Sequence, residues 1–179
     1  MPNVNGMAVS DTLSSQLKDC GFNSALVEAR EADVSSTLTN CAKYGIRPFL
    51  RSSQANLSSS KWGSFVDAYL NNPNLGGWFL QNAALPSQTG ENSALHACVN
   101  AILEHDKSQT VNGEKVSHPI FMGVLDGRDI TQYGSQSYKE YIENIEYNLN
   151  PMFWPVIPFS TQHYETFPAS WFYRELEIF

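Results

Sequence analysis

The sequence is poor in charge. Asp, Glu, Lys and Arg make up 16% of its 179 residues, with 11 basic side chains against 18 acidic ones and a formal net charge of −7. The few basic residues form no cluster, which leaves no electrostatic footing for a phosphate backbone and excludes nucleic acid as an expected partner. Long apolar runs are missing too. None approaches the roughly 20 residues needed to span a bilayer, so no membrane span is expected. The start, MPNVNGMAVSDT, has neither a basic segment nor a continuous apolar stretch of the kind a signal peptide carries. Cysteine is scarce: Cys20, Cys41 and Cys98 form an odd set with no C-x-x-C pair. They read as small apolar core residues. His96 and His105 stand nine apart on no common helix face and His118 precedes a strand, so neither a metal nor a cofactor is expected. There is no G-x-S-x-G elbow for a serine nucleophile. The Asp126-Gly-Arg-Asp129 stretch lacks the later ligands of a calcium loop and reads as a turn.

What the chain does contain is alternation. Apolar runs at 24–29 (SALVEA), 46–51 (IRPFLR), 75–81 (LGGWFLQ), 120–126 (IFMGVLD) and 152–159 (MFWPVIPF) are continuous rather than alternating, as in strands covered on both faces. A further strand is placed at 4–8. Between the runs, 11–20, 31–44, 60–70, 91–106 and 137–149 carry apolar residues at helical spacing. Ser10 or Asp11 offers an N-cap to the first, while Gly21 and Gly45 stop the first two. These two helices also resemble each other: Leu13-Ser-Ser-Gln-Leu17-Lys-Asp-Cys20 reads almost as Val34-Ser-Ser-Thr-Leu38-Thr-Asn-Cys41. A unit of helix, glycine and strand is used twice in succession.

Such alternation implies parallel strands joined by right-handed crossovers. A doubly wound nucleotide fold would place a glycine-rich turn at a strand's exit. Gly76 and Gly77 stand instead where their strand begins, which favours the (β/α) TIM-barrel type. With about six of eight strands, residues 1–179 read as a single partial barrel domain, since a complete barrel needs on the order of 250 residues. The chain stops inside the helical pattern 170–179.

In either α/β architecture, function gathers at the carboxyl ends of the strands. That rule selects Glu28 and Arg30, Arg51 and Ser52, Gln81 and Asn82, Asp126 and Arg128, and Ser160, Gln162 and His163, with Trp154 within the last strand. Arginines, amides, an acid and an aromatic ring at one rim suit a sugar, which offers hydroxyls to planar polar groups and an apolar face to an indole.

The segments Lys18-Asp-Cys-Gly-Phe-Asn23, Cys41-Ala-Lys-Tyr-Gly-Ile46 and Pro73-Asn-Leu-Gly-Gly-Trp-Phe-Leu80, each leading into a strand, resemble the TIM-barrel glycoside hydrolases of polysaccharide-degrading gut bacteria. These are relatives of the clan that holds the β-galactosidase and cellulase barrels. The resemblance covers about residues 10–179 and implies strands two to six of the barrel, an exported protein in the periplasm or outside the cell, and carbohydrate as partner. It also implies an acid/base carboxyl after strand four and a nucleophile after strand seven. Where the family has Asp-Glu-Pro, this chain has Asn82-Ala83-Ala84, and neither an amide nor a methyl group transfers a proton at a useful pKa. Glu91 is the next acid, expected in the first turn of the following helix. Asp126 and Glu28 are weak substitutes. Hydrolysis needs two carboxyl groups, about 5 to 5.5 Å apart for retention or roughly 6.5 to 9.5 Å for inversion. The expectation is therefore a hydrolase-like barrel with Arg51, Gln81, Asn82, Asp126, Arg128 and Trp154 toward a glycan and with impaired catalysis. The alternatives are a non-catalytic carbohydrate-binding or scaffold protein, or a chain that needs a partner or missing half and self-associates through open strand edges.

Overall fold

Two successive helices end in the same way, and that ending launches the first two long strands. In α1 (Asp11–Asp19) and α2 (Glu31–Lys43) the residue after the C-cap is a glycine of positive φ, 82° at Gly21 and 68° at Gly45. The N–H groups of Gly21 and Phe22 donate to the carbonyls of Lys18 and Leu17, and those of Gly45 and Ile46 to Ala42 and Cys41. Both are Schellman closures, which only a residue at ease with positive φ makes without strain. Ser10, not Asp11, is the N-cap of α1, its Oγ accepting from the N–H of Leu13 at 3.1 Å.

The computed structural model describes residues 3–5, 8–53, 55, 57–111, 113–124, 139–141 and 143–144. Strands β1 (Asn3–Asn5), β2 (Ser24–Ala29), β3 (Arg47–Ser52) and β4 (Gly77–Ala84) follow in order, then a two-stranded hairpin of β5 (Gln109–Val111) and β6 (Glu114–Val116), and then β7 (Ile120–Val124). Helices α3 (Ser59–Tyr69) and α4 (Ala94–His105) lie before and after β4. The main sheet is parallel throughout in the order β1-β2-β3-β4-β7. The order runs on without reversal, whereas a doubly wound sheet reverses it partway.

Pairing Val27 with Leu50, and Leu50 with Trp78, sets one face of the sheet. On it Ala25, Val27, Leu50, Trp78, Leu80, Ile120 and Met122 pack with the buried sides of α1, α2, α3 and α4. The opposite face carries a second, smaller cluster of Leu26, Phe49, Phe79 and Phe121. Phe121 meets the rings of Phe49 and Phe79 edge-on at 5.9 and 6.1 Å. Both faces are apolar, hence the continuous rather than alternating runs in the sequence.

Several expectations shift. The first strand is Asn3–Asn5, earlier than 4–8. β4 runs on through Asn82 and Ala83 to Ala84, because its pairing with β7 slips twice, between Phe79 and Gln81 and between Gln81 and Ala84, and the extra residues keep it paired to the end. Asn82 and Ala83 therefore lie inside the strand rather than after it. Glu91 precedes α4 instead of sitting in its first turn: Ser93 caps the helix, its Oγ accepting from the N–H of His96, and α4 starts at Ala94. Cys20 is exposed, while Cys41 and Cys98 are buried as expected. The strand at 152–159, the end of the strand at 120–126 and most of the helix at 137–149 fall outside the described residues; of that helix, 139–141 and 143–144 are helical.

Candidate functional site

The two ends of the sheet are built differently. At the carboxyl end, register sets Glu28 directly beside Arg51, one strand over, on the face that carries Leu26 and Phe49 two residues earlier. Arg51 Nη1 lies 3.7 Å from Glu28 Oε2, with the two side chains 16% and 22% exposed. The pair is thus mostly withdrawn from water, and Arg51 Nε is buried with no hydrogen-bond partner among the described residues. Burying an N–H without an acceptor costs about 1–3 kcal/mol, so among the described residues this edge of the guanidinium is an unfilled donor. Backbone pairing sets Asn5 on the other side of Glu28.

Neighbouring rim residues divide. Ser52 is buried on the opposite face and donates from Oγ to Glu31 Oε1 at 3.3 Å, tying the end of β3 to the first turn of α2. Arg30 turns outward, its Nε donating to Asp33 Oδ2 at 2.8 Å in an exposed i,i+3 pair, and leaves the candidate site. Gln81, Asn82 and Ala83 form the end of β4 by their backbone. The carbonyl of Ala84 accepts from Tyr141 Oη at 2.5 Å, so a buried tyrosine of the following helical stretch closes over the end of the strand. Asp126, Arg128, Trp154, Ser160, Gln162 and His163 lie outside the described residues.

At the amino end stands a network that sequence reasoning missed. Asp106, the C-cap of α4, is fully buried and accepts five hydrogen bonds. Trp78 Nε1 donates to its Oδ2 at 2.6 Å, as do the backbone N–H and Nδ1 of His118, each at 2.8 Å. The backbone N–H and hydroxyl of Ser108 donate to Oδ1 at 3.2 and 2.6 Å. Burial alone would raise the carboxyl pKa, but the donors from His118, Ser108 and Trp78 outweigh it and hold Asp106 well below the usual carboxylate range. The amide nitrogen of Gln109 faces His118 Nε2 at 3.0 Å, which makes that ring nitrogen the acceptor and places the proton on Nδ1, toward Asp106.

Serine, histidine and aspartate meet here without forming a nucleophile. Ser108 Oγ and Asp106 both approach the same ring nitrogen, Nδ1, at 3.2 and 2.8 Å. A catalytic triad needs the hydroxyl on one nitrogen and the carboxylate on the other. The two buried cysteines offer no nucleophile either, since burial pushes the Cys98 thiol up to about 11 and raises that of Cys41. Among the described residues no group of three or more His, Cys, Asp and Glu side chains is arranged to hold a metal ion, and no helix is long and apolar enough to cross a membrane.

Two signals could have exposed the amino-end network. A buried indole N–H requires an acceptor, and Trp78 is fully buried. Asn112-Gly113 between Thr110-Val111 and Lys115-Val116 is the strongest short hairpin pattern, and the β5–β6 hairpin with Gly113 at φ 86° follows from it. No family model matches the chain, and neither the curated proteins nor the solved structures give a match. Fold and function rest on the chain's own residues.

Proposed function

We propose that this chain is a carbohydrate-binding domain of the glycoside-hydrolase (β/α)-barrel type that does not use that family's acid/base chemistry. The barrel reading draws on two features: strands that follow one another in sequence order, and helices α1 to α4 packed on one face. The observation that carries the binding reading is the Glu28–Arg51 pair, held side by side at the carboxyl end of the sheet with an Arg51 donor unfilled among the described residues. A guanidinium and a carboxylate in one row present donors and acceptors at fixed spacing, the chemistry that reads vicinal sugar hydroxyls. The phenylalanines deeper on the same face keep water from competing beneath the pair. At the next strand end, where a hydrolase of this type would carry its proton donor, the chain has Asn82 and Ala83.

Affinity electrophoresis against plant and host polysaccharides, run beside aryl-glycoside assays, tests the reading. Retardation by at least one polysaccharide, lost in Arg51→Gln, with no turnover of any aryl glycoside, is the expected result. Turnover abolished by Asp126→Asn or Glu28→Gln would restore a hydrolase; no retardation by any polysaccharide would remove the glycan.

A further inference from the structure

The amino end of the sheet holds a cavity of about 540 Å³, within the range of small-molecule sites. Its wall is formed by the loop between α3 and β4, the first residue of β3 and both flanks of the β5–β6 hairpin. The polar lining consists of Arg47, Asn71, Asn72, Ser108, Gln109 and His118, together with the hydroxyl of Ser117. No acidic side chain is among the described residues that line it, in a protein with 18 acids and 11 bases. Arg47 makes no ion pair among the described residues.

The nearest acid in the network is Asp106, and it is fully buried and absent from the lining. Its two oxygens are occupied by the five donors of Trp78, Ser108 and His118. They are not open to a ligand, and the same bonds fix Ser108 and His118 at the cavity wall. These two wall residues are therefore held in place before anything binds, which lowers the ordering cost of association. What the cavity offers is one guanidinium, amides and hydroxyls, with Leu70, Leu75 and Val116 supplying an apolar side.

We propose that this cavity is a second ligand site, distinct from the carboxyl-end rim, for a monosaccharide-sized molecule that combines hydroxyl groups with one oxyanion, as a sugar phosphate or a sugar acid does. Arg47 takes the oxyanion through charge-assisted hydrogen bonds, and the Asn71, Asn72 and Gln109 amides take hydroxyls. The site does not depend on the glycan reading of the opposite end.

Calorimetric titration of the full chain at physiological salt with glucose 6-phosphate, glucuronate and glucose tests it. Saturable binding of at least one charged probe is expected, with glucose binding at least tenfold more weakly. Which of the two charged probes binds more tightly identifies the oxyanion as phosphate or carboxylate. A charge-assisted hydrogen bond contributes about 1.5–3 kcal/mol, so Arg47→Gln should weaken binding about ten- to a hundredfold. Arg47 is exposed, so the thermal midpoint of that variant should stay where it is. Asn71→Ala, also at an exposed position, should weaken binding by a smaller factor, and Arg51→Gln should leave it unchanged. The proposal is overturned if neither charged probe binds, if glucose binds as tightly as they do, or if Arg47→Gln binds like the unaltered chain.

Discussion

The two ends of the same parallel sheet solve opposite problems with similar residue types. At the amino end, a buried aspartate has every lone-pair direction filled, from an indole, an imidazole, a hydroxyl and two backbone N–H groups. At the carboxyl end, Glu28 and Arg51 stand 3.7 Å apart with a buried guanidinium N–H that has no acceptor among the described residues. A filled network fixes one geometry and leaves nothing for a ligand to complete; a half-filled one keeps a cost that an incoming acceptor can offset. A charge in the fold is therefore read by whether its partners are already inside the protein.

The comparison breaks most sharply at Asp106. Replacing it with alanine strands the donors of Trp78, Ser108 and His118 in a buried place, and a loss of about 3–5 kcal/mol in unfolding free energy by urea titration is expected. The pH dependence has a definite sign. Because the folded pKa of Asp106 lies below the ordinary 3.8, its contribution is present above that value and is withdrawn as the pH falls below it toward the lowered native value. Asp106→Asn should flatten that acid limb of the stability profile. A variant as stable as the parent would mean that the network is ornament and the two ends are alike.

A smaller effect is expected at Gly77, the second glycine of Gly-Gly-Trp. A Cβ there would meet the carbonyl oxygen of Pro119 and lie 2.7 Å from Cε1 of Phe49, so β4 could not keep its place between β3 and β7. Gly77→Ala should cost about 1–3 kcal/mol in the same titration. The least effect on stability belongs to the carboxyl end. Glu28→Gln keeps the shape and leaves an amide oxygen beside Arg51 in place of the carboxylate of a widely spaced pair, so a loss of about 1 kcal/mol is expected. The same variant should lose polysaccharide retardation, separating binding from folding; a large loss of stability instead would make the pair a structural ion pair.

How much could be read in advance differs between these ends for a physical reason. Strand and helix alternation, the Gly21 and Gly45 stops and the buried run Trp78-Phe79-Leu80 are local or periodic signals, and each is found in the structure. So is the position of Gly76 and Gly77 at the entry to the strand, which Gly77 begins. The end of β4 was less legible, because slips in pairing with β7 depend on a neighbour 40 residues away in sequence rather than on Asn82 or Ala83 themselves. His118 gave no sign of its role, since its neighbours Asp106 and Trp78 lie 12 and 40 residues away in sequence.

The sequence by itself determined the kinds of element, their order and their apolar faces, because propensity, capping and periodicity act within a few residues. It also determined the absence of an acid at Asn82-Ala83-Ala84, a matter of composition alone. The tertiary structure decided which polar groups meet: that Glu28 lies beside Arg51, that Asp106 collects five donors, and that Arg47 faces a cavity without an acid in its lining. Hydrogen bonds and ion pairs act over about 3 to 4 Å, and only strand register and helix packing bring residues this far apart in sequence within that reach.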